Sequence, residues 1–303
     1  MAEHGRTPDG AESAAEEQPP VRRLPGHIQA ALAGAGGATD SAGQPWAGRS
    51  LDGENASIHN FEDDDGTADA GYLAAVSGLL TADGDEAAVV ASLATARVFV
   101  PIVAQLAEEA EGVDGLHADK QADMALVTLK APDGRLAMPV FSSAEALAAW
   151  HPEARPVAVY AARAALSAVA EGAELLVVDP GSEVTFVVRR PAVWALAQQK
   201  PWLPAYRDAE LAGLLRSAAE TRPAVRGLEV LPGGGVAAAT ASGVRIDGGG
   251  PGPELRVVLY LEDGLDAAAV QSLVAGLQND WSRNVLFGER VDSIEVKLRR
   301  AAE

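Results

Sequence analysis

From Phe61 onward the apolar residues of this chain fall by turns into helix-period and strand-period runs, and that alternation confines it to a mixed α/β (α+β) fold. Tyr72, Leu73, Val76, Leu79 and Leu80 recur at i, i+3 and i+4 and predict an amphipathic helix. A shorter helix over 85–95 buries Val89, Val90 and Leu93. Residues 97–103 are β-branched and predict a strand, but Pro101 has no N–H for a ladder and so argues for an edge position or a bulge. Residues 123–130 and 136–141 read as two strands joined by Pro132-Asp133-Gly134-Arg135, a hairpin signal. Ser142 with Glu145 predicts a capping box for a helix ending at Trp150. A strand over 156–160 and a helix over 161–171 follow, with Gly172 at its end. Strands 174–178 and 184–188 flank the turn Asp179-Pro180-Gly181-Ser182, and Pro191 opens a helix to about residue 199.

The run Lys200-Pro201-Trp202-Leu203-Pro204 breaks this pattern with two prolines in five residues, which fits a domain boundary. Beyond it Asp208 caps a helix to residue 221, and a β–β–α–β series completes the chain. That series comprises strands 226–231, 255–261 and 293–298 and a helix capped by Asp266, with Val270, Leu273, Val274, Leu277 and Trp281 on one face. The expected organisation is a disordered acidic leader (1–60), a mixed-sheet α/β domain (61–200), a linker (201–208) and a smaller ββαβ domain (209–303). Residues 108–121 read as an exposed loop. Aromatic residues are only 5% of the chain against 48% hydrophobic, so the core must be built from Ala, Val and Leu.

Charge and residue usage narrow the chemistry. The net charge is -19, and residues 1–66 alone carry twelve acids against four bases. Such a field repels phosphate backbones and anionic membrane surfaces, so neither nucleic acid nor membrane is an expected partner. The absence of cysteine removes disulfides, thiolate nucleophiles, Cys-ligated zinc and iron–sulfur clusters. The first 23 residues have no apolar core of signal-peptide type, and no run approaches the ~20 apolar residues of a membrane helix, so the cytoplasm is the expected location.

Motifs exclude more than they assign. Glu62-Asp63-Asp64-Asp65-Gly66 lacks the EF-hand acids, since Phe61 and Tyr72 occupy the required positions; it reads as an acidic lead-in to a helix N-terminus. Gly233-Gly234-Gly235-Val236-Ala237-Ala238 matches a dinucleotide fingerprint in form, but the helix after it would end near Gly243, too short for a βαβ crossover; a flexible hairpin or loop is the better reading. No P-loop and no Gly-x-Ser-x-Gly elbow occur. His4, His27 and His59 lie in the leader, and His117 and His151 are far apart, which leaves no expected metal site, no cofactor and no catalytic set. The polar and aromatic residues marked as binding candidates are Asp123, Arg135, Trp150, Arg155, Asp179 and Arg190, with Arg189 beside the last, all at element ends where loops carry function. Trp202 and Tyr206 read as packing between the two domains.

An ordered set of strings resembles the SseB family, named for enhanced serine sensitivity, in its actinobacterial form. They begin with Asp64-Asp65-Gly66, Ala96-Arg97-Val98-Phe99-Val100-Pro101 and Ala122-Asp123-Met124-Ala125-Leu126. Pro139-Val140-Phe141-Ser142, Ala149-Trp150, Ala154-Arg155-Pro156-Val157 and Val178-Asp179-Pro180-Gly181 follow. The resemblance spans about residues 61–200 and implies a small α/β domain with no established catalytic residues. The expected function is therefore that of a non-enzymatic cytosolic interaction or regulatory protein whose partner is another protein. The alternatives are a small-molecule (amino-acid-like) binder or sensor, with a pocket near Arg155, Asp179 and the linker, and an enzyme using carboxylates.

Overall fold

Aspartates open the first two helices among the described residues. Asp69 accepts the Tyr72 N–H at the start of α1 (Ala70–Thr81), and Asp85 accepts the Ala88 N–H at the start of α2 (Glu86–Leu93). There follow β1 (Arg97–Gln105), β2 (Asp123–Leu126), β3 (Leu129–Lys130), β4 (Leu136–Val140), α3 (Ala144–Trp150), β5 (Arg155–Tyr160), α4 (Ala161–Ala170), β6 (Leu175–Val178), β7 (Phe186–Val188) and α5 (Arg190–Ala197). A 3-10 turn (Ala205–Arg207) leads into α6 (Ala209–Glu220), β8 (Val225–Pro232), the hairpin β9 (Ala238–Ala239) and β10 (Arg245–Ile246), β11 (Leu255–Leu261), α7 (Ala267–Ser282), α8 (Val285–Arg290) and β12 (Ile294–Arg300). This computed structural model describes residue 61, residues 64–105 and residues 123–301. The readings made for the leader 1–60, the loop 108–121 and His4, His27, His59 and His117 lie outside the described residues.

The molecule is mixed α/β. One sheet runs β2-β1-β5, all antiparallel; a second runs β3-β4-β6-β7, with β4 and β6 parallel. A bridge between Phe99 and Phe141 joins the two. A third sheet, β12-β11-β8, has β11 antiparallel to β8 and parallel to β12. One face of it is covered by α6, α7 and α8, with Leu211, Leu215, Leu277 and Trp281 buried against Leu255, Val257 and Leu259. Val270, Leu273 and Val274 line the same contact, as the helical period of α7 predicts. Elsewhere the core is built from small residues, as aromatic scarcity requires. Ala161, Ala162, Ala164, Ala165 and Ala168 of α4 are buried, and Ala192, Val193 and Leu196 are buried on the neighbouring α5.

Four expectations are corrected. Pro101 lies in the central strand of its sheet, not at an edge, and no bulge interrupts its register. Phe99 exchanges both backbone hydrogen bonds with Phe141, so alternate residues, Pro101 among them, point their backbone away from β5. Pro101 stands opposite Pro156 as a non-hydrogen-bonded pair, and no ladder bond is lost. The predicted strand over 123–130 is two strands in different sheets, because the chain turns from β1 to β4 at Val127 and Thr128. The cap of α3 is Ser143, whose Oγ accepts the Ala146 N–H; the Ser142 N–H is taken by Asp179 instead. Asp64 does not serve a helix dipole: it holds the Arg97 guanidinium through both carboxylate oxygens, at 2.5 and 2.8 Å.

A buried polar seam as the candidate functional site

The glycine stretch 233–252 reads as a flexible hairpin or loop in sequence; it does hold the β9–β10 hairpin, but its glycines at the crossing are packed rather than free. Gly248, Gly249 and Gly250 are buried. A Cβ on Gly235 would lie 2.1 Å from the Gly252 backbone, so the two arms of the stretch cross at a distance only glycine allows. Gly249, at φ +68°, leaves only 2.4 Å between an added Cβ and the Phe186 ring. Its carbonyl accepts the Val187 N–H of β7 at 2.9 Å, and its N–H donates to Glu86 at 3.2 Å.

This crossing is gripped by two charges from residues 61–200. Glu86, the first residue of α2, and Arg189, which precedes α5, are 1% and 2% exposed and pair at 3.0 Å. Arg189 donates from Nη2 to the carbonyls of Gly250 (2.7 Å) and Gly235 (3.2 Å). The Tyr206 hydroxyl donates to Glu86 at 3.0 Å, and burial, with the adjacent Glu86 charge, raises the pKa of that phenol. Arg190 reaches the carbonyls of Gly288 (2.9 Å) and Val291 (2.5 Å) and stacks over Trp194. Arg135, in the turn between β3 and β4, pairs with the buried Asp292 at 2.9 Å and with Asp133 at 2.7 Å. Behind these contacts sits Glu254, which accepts the N–H groups of Ala205 (3.1 Å) and Asp292 (3.0 Å). Burial pushes its pKa up to about 7, against the pull of those two amides and of Arg189, with Asp292 adding to the push.

The sequence-derived candidates divide into three places. Arg135 and Arg190 meet at the seam, on the segment just before β12, with Arg189 nearby. Asp179 and Trp150 lie at a second place. Asp179, at φ +52°, is buried, accepts the Ser142 N–H at 2.7 Å and faces the Tyr72 hydroxyl at 3.4 Å. Its burial raises its carboxyl pKa despite those hydrogen bonds. Trp150 packs on Phe141, and Gly181 of the same turn lies against it. Arg155 is exposed at the start of β5, opposite Ile102, away from both groups, and Asp123 opens β2 with its backbone opposite Gln105. Tyr206 does bridge residues 61–200 and 205–301, while Trp202 is half-buried.

Sequence reasoning missed Glu86, Glu254 and Asp292. Glu86 follows a helix cap, where an acid is ordinary, and Glu254 stands between a proline and a strand. Only their complete burial marks them, and burial of this kind comes from the long-range contacts. Among the described residues two concave spaces stand out. One, of about 200 Å³, lies between α6 and β8. The other is an open groove of about 590 Å³ between β7 and the β9–β10 hairpin, lined by small apolar residues and Arg245.

Among the described residues no helix is long and apolar enough to cross a membrane. Comparison with curated proteins finds no match, and neither does comparison with solved structures. Residues 72–195 match the family model of the SseB protein N-terminal domain, a span that holds Glu86, Arg135, Asp179, Arg189 and Arg190. Over those residues the chain is similar to the SseB protein N-terminal domain.

Proposed function

We propose that this protein acts without chemistry of its own, as a cytoplasmic regulatory protein that binds another protein. The observation that supports this reading is α1. Its sequence, AGYLAAVSGLLT, has no charged residue, yet only Tyr72 and Leu79 are buried. Leu73 is 51% and Leu80 40% exposed, one heptad apart and so on one face, with exposed Ala74 and Ser77 between them. An uncharged helical face open to water, in a chain of which 22% is charged, suits contact with an apolar surface of a partner. The buried charges are meanwhile engaged with one another and with the backbone, where they hold the fold.

The test is affinity capture of the tagged full-length chain beside a Leu73→Glu/Leu80→Glu variant whose circular dichroism is unchanged. One stoichiometric partner, retained by the natural chain and lost from the variant, is the expected result. Failure to recover a stoichiometric partner, or equal recovery by both, counts against the reading. A second reading, a small-molecule sensor, is favoured by the groove beside β7. Thermal-shift measurements with amino acids, serine included, address it, since a ligand at 100 Kd adds about 2.7 kcal/mol.

A further inference from the structure

β5 is an edge strand with an unpaired outer side. The Ala161 N–H donates to the Ala96 carbonyl at 2.9 Å, in step with the pairs Val98–Val159, Val100–Val157 and Ile102–Arg155. Backbone groups alternate sides along a strand, so Pro156, Ala158 and Tyr160 turn theirs away from β1. Among the described residues nothing meets the N–H groups of Ala158 and Tyr160 or the carbonyls of Pro156 and Ala158. The Tyr160 carbonyl differs, because Tyr160 is the N-cap of α4 and an N-cap carbonyl accepts the first bond of its helix.

Other edges are guarded. The Gly249 carbonyl takes the Val187 N–H of β7, and β8 and β12 carry charges, such as Glu229 and Lys297, that discourage pairing. Residues 156–160 carry no charge, and Val157 and Tyr160 are 37% and 42% exposed.

We propose that β5 is the interface of a two-fold homodimer, in which the outer edges of two copies pair antiparallel about Ala158 and join their β2-β1-β5 sheets into one.

Donors and acceptors select this register. With Ala158 opposite its own copy, each Ala158 N–H meets the other Ala158 carbonyl, and each Tyr160 N–H meets the other Pro156 carbonyl. Pro156 has no N–H for the facing Tyr160 carbonyl, but α4 already occupies that carbonyl. With Val157 at the centre instead, each Ala158 carbonyl would face the proline nitrogen. With Val159 there, each Ala158 N–H would face the occupied Tyr160 carbonyl. Side chains agree with the choice: Pro156 stands beside Tyr160 of the other copy on one face and Val157 beside Val159 on the other, both apolar pairs. Arg155 falls outside the paired stretch, so like charges do not meet at the axis. A two-fold contact of this kind closes on itself and stops at two copies. It is separate from the α1 face and stands whether or not that face takes a partner.

Sedimentation equilibrium of the full chain tests this. A monomer–dimer equilibrium is expected, strengthening from about 0.01 M to about 0.15 M salt as the repulsion between chains of net charge -19 is screened. A chain that stays monomeric up to about 1 mM at the higher salt overturns the proposal. Ala158→Pro removes only an outward N–H and leaves the β1–β5 ladder whole, so it is expected to keep the circular dichroism and lose the dimer. A dimer that persists in that chain, or is lost in Leu73→Glu/Leu80→Glu where β5 is untouched, overturns it too. If Ala158→Pro does not fold, disulfide trapping replaces it. The chain has no cysteine, so only introduced residues can cross-link. In this register Val157 faces Val159 of the other copy with Cα atoms about 4.5 Å apart, within disulfide reach, whereas identical positions are offset along the strands beyond about 7 Å. A mixture of Val157→Cys and Val159→Cys chains is expected to cross-link, and either chain alone is not. No cross-link in the mixture, or the same extent in a single chain, overturns the pairing.

Discussion

Arg189 shows how much one side chain can hold at the residue scale. It neutralises Glu86 and supplies hydrogen bonds to two glycine carbonyls, all away from water. Removing one member of a buried pair leaves the other uncompensated, so Arg189→Leu is expected to cost about 3–5 kcal/mol in urea unfolding. Gly249→Ala should also destabilise, on the order of 1–3 kcal/mol from the positive φ, with the Phe186 clash added to that. Asp179 behaves in the opposite way. Its carboxyl pKa is raised by burial, so its ionisation opposes folding as pH rises through the folded value, while the protonated form favours folding at acid pH. Asn fits the left-handed backbone at 179, its oxygen can accept the Ser142 N–H, and it carries no charge to bury. Asp179→Asn is therefore expected to leave stability at neutral pH equal or higher and to flatten its fall from acid to neutral pH, as read by thermal unfolding. The sequence marked Asp179, Arg189 and Arg190 by their places at element ends. It gave no sign of Glu254, because a glutamate between a proline and a strand looks the same exposed or buried.

At the element scale the helix starts were legible and the strand partners were not. Asp208 and Asp266 cap the helices their positions predict, and Asp69 and Asp85 cap α1 and α2 in the same way, since a cap is a contact made within four residues. Asp208 does more, accepting the N–H groups of Glu210 and Leu211 and pairing with Arg290 at 2.7 Å. Burial pushes its carboxyl up, but Arg290 and the two amides outweigh that and hold its pKa below the usual value. Its contribution is thus present above the unfolded pKa and lost as pH falls through the folded one. Asp208→Ala should cost about 1–2 kcal/mol at neutral pH and less in acid, measurable by urea unfolding at two pH values. Pro101 shows the limit of such local reading. Its missing N–H restricts one side of a strand only, and which side meets a neighbour was decided by the Phe99–Phe141 bridge. The split of 123–130 between two sheets has the same origin, for nothing within those eight residues says that β1 claims the first half and β4 the second.

On the scale of the whole molecule, residues 61–200 and 205–301 meet through ions, tyrosine hydroxyl and glycine backbone. The buried cluster beneath the third sheet draws all its members from residues 205–296. A polar seam of this kind is unforgiving, because a lost partner leaves charge or carbonyl stranded without water. Urea unfolding followed at Trp281 and at Trp150 or Trp194, in chains keeping one tryptophan each, should therefore give coincident transitions, which Arg189→Leu should separate. The sequence by itself determined the alternation of helices and strands, the caps, the Ala/Val/Leu core and the family resemblance, since each rests on residues close along the chain or on composition. Only the tertiary structure decided which strands pair, that the glycine stretch is packed tightly, and that Glu86, Arg189, Glu254 and Asp292 converge. Those outcomes depend on desolvation and on contacts between residues up to 163 positions apart, such as Gly249 and Glu86, which no local pattern encodes.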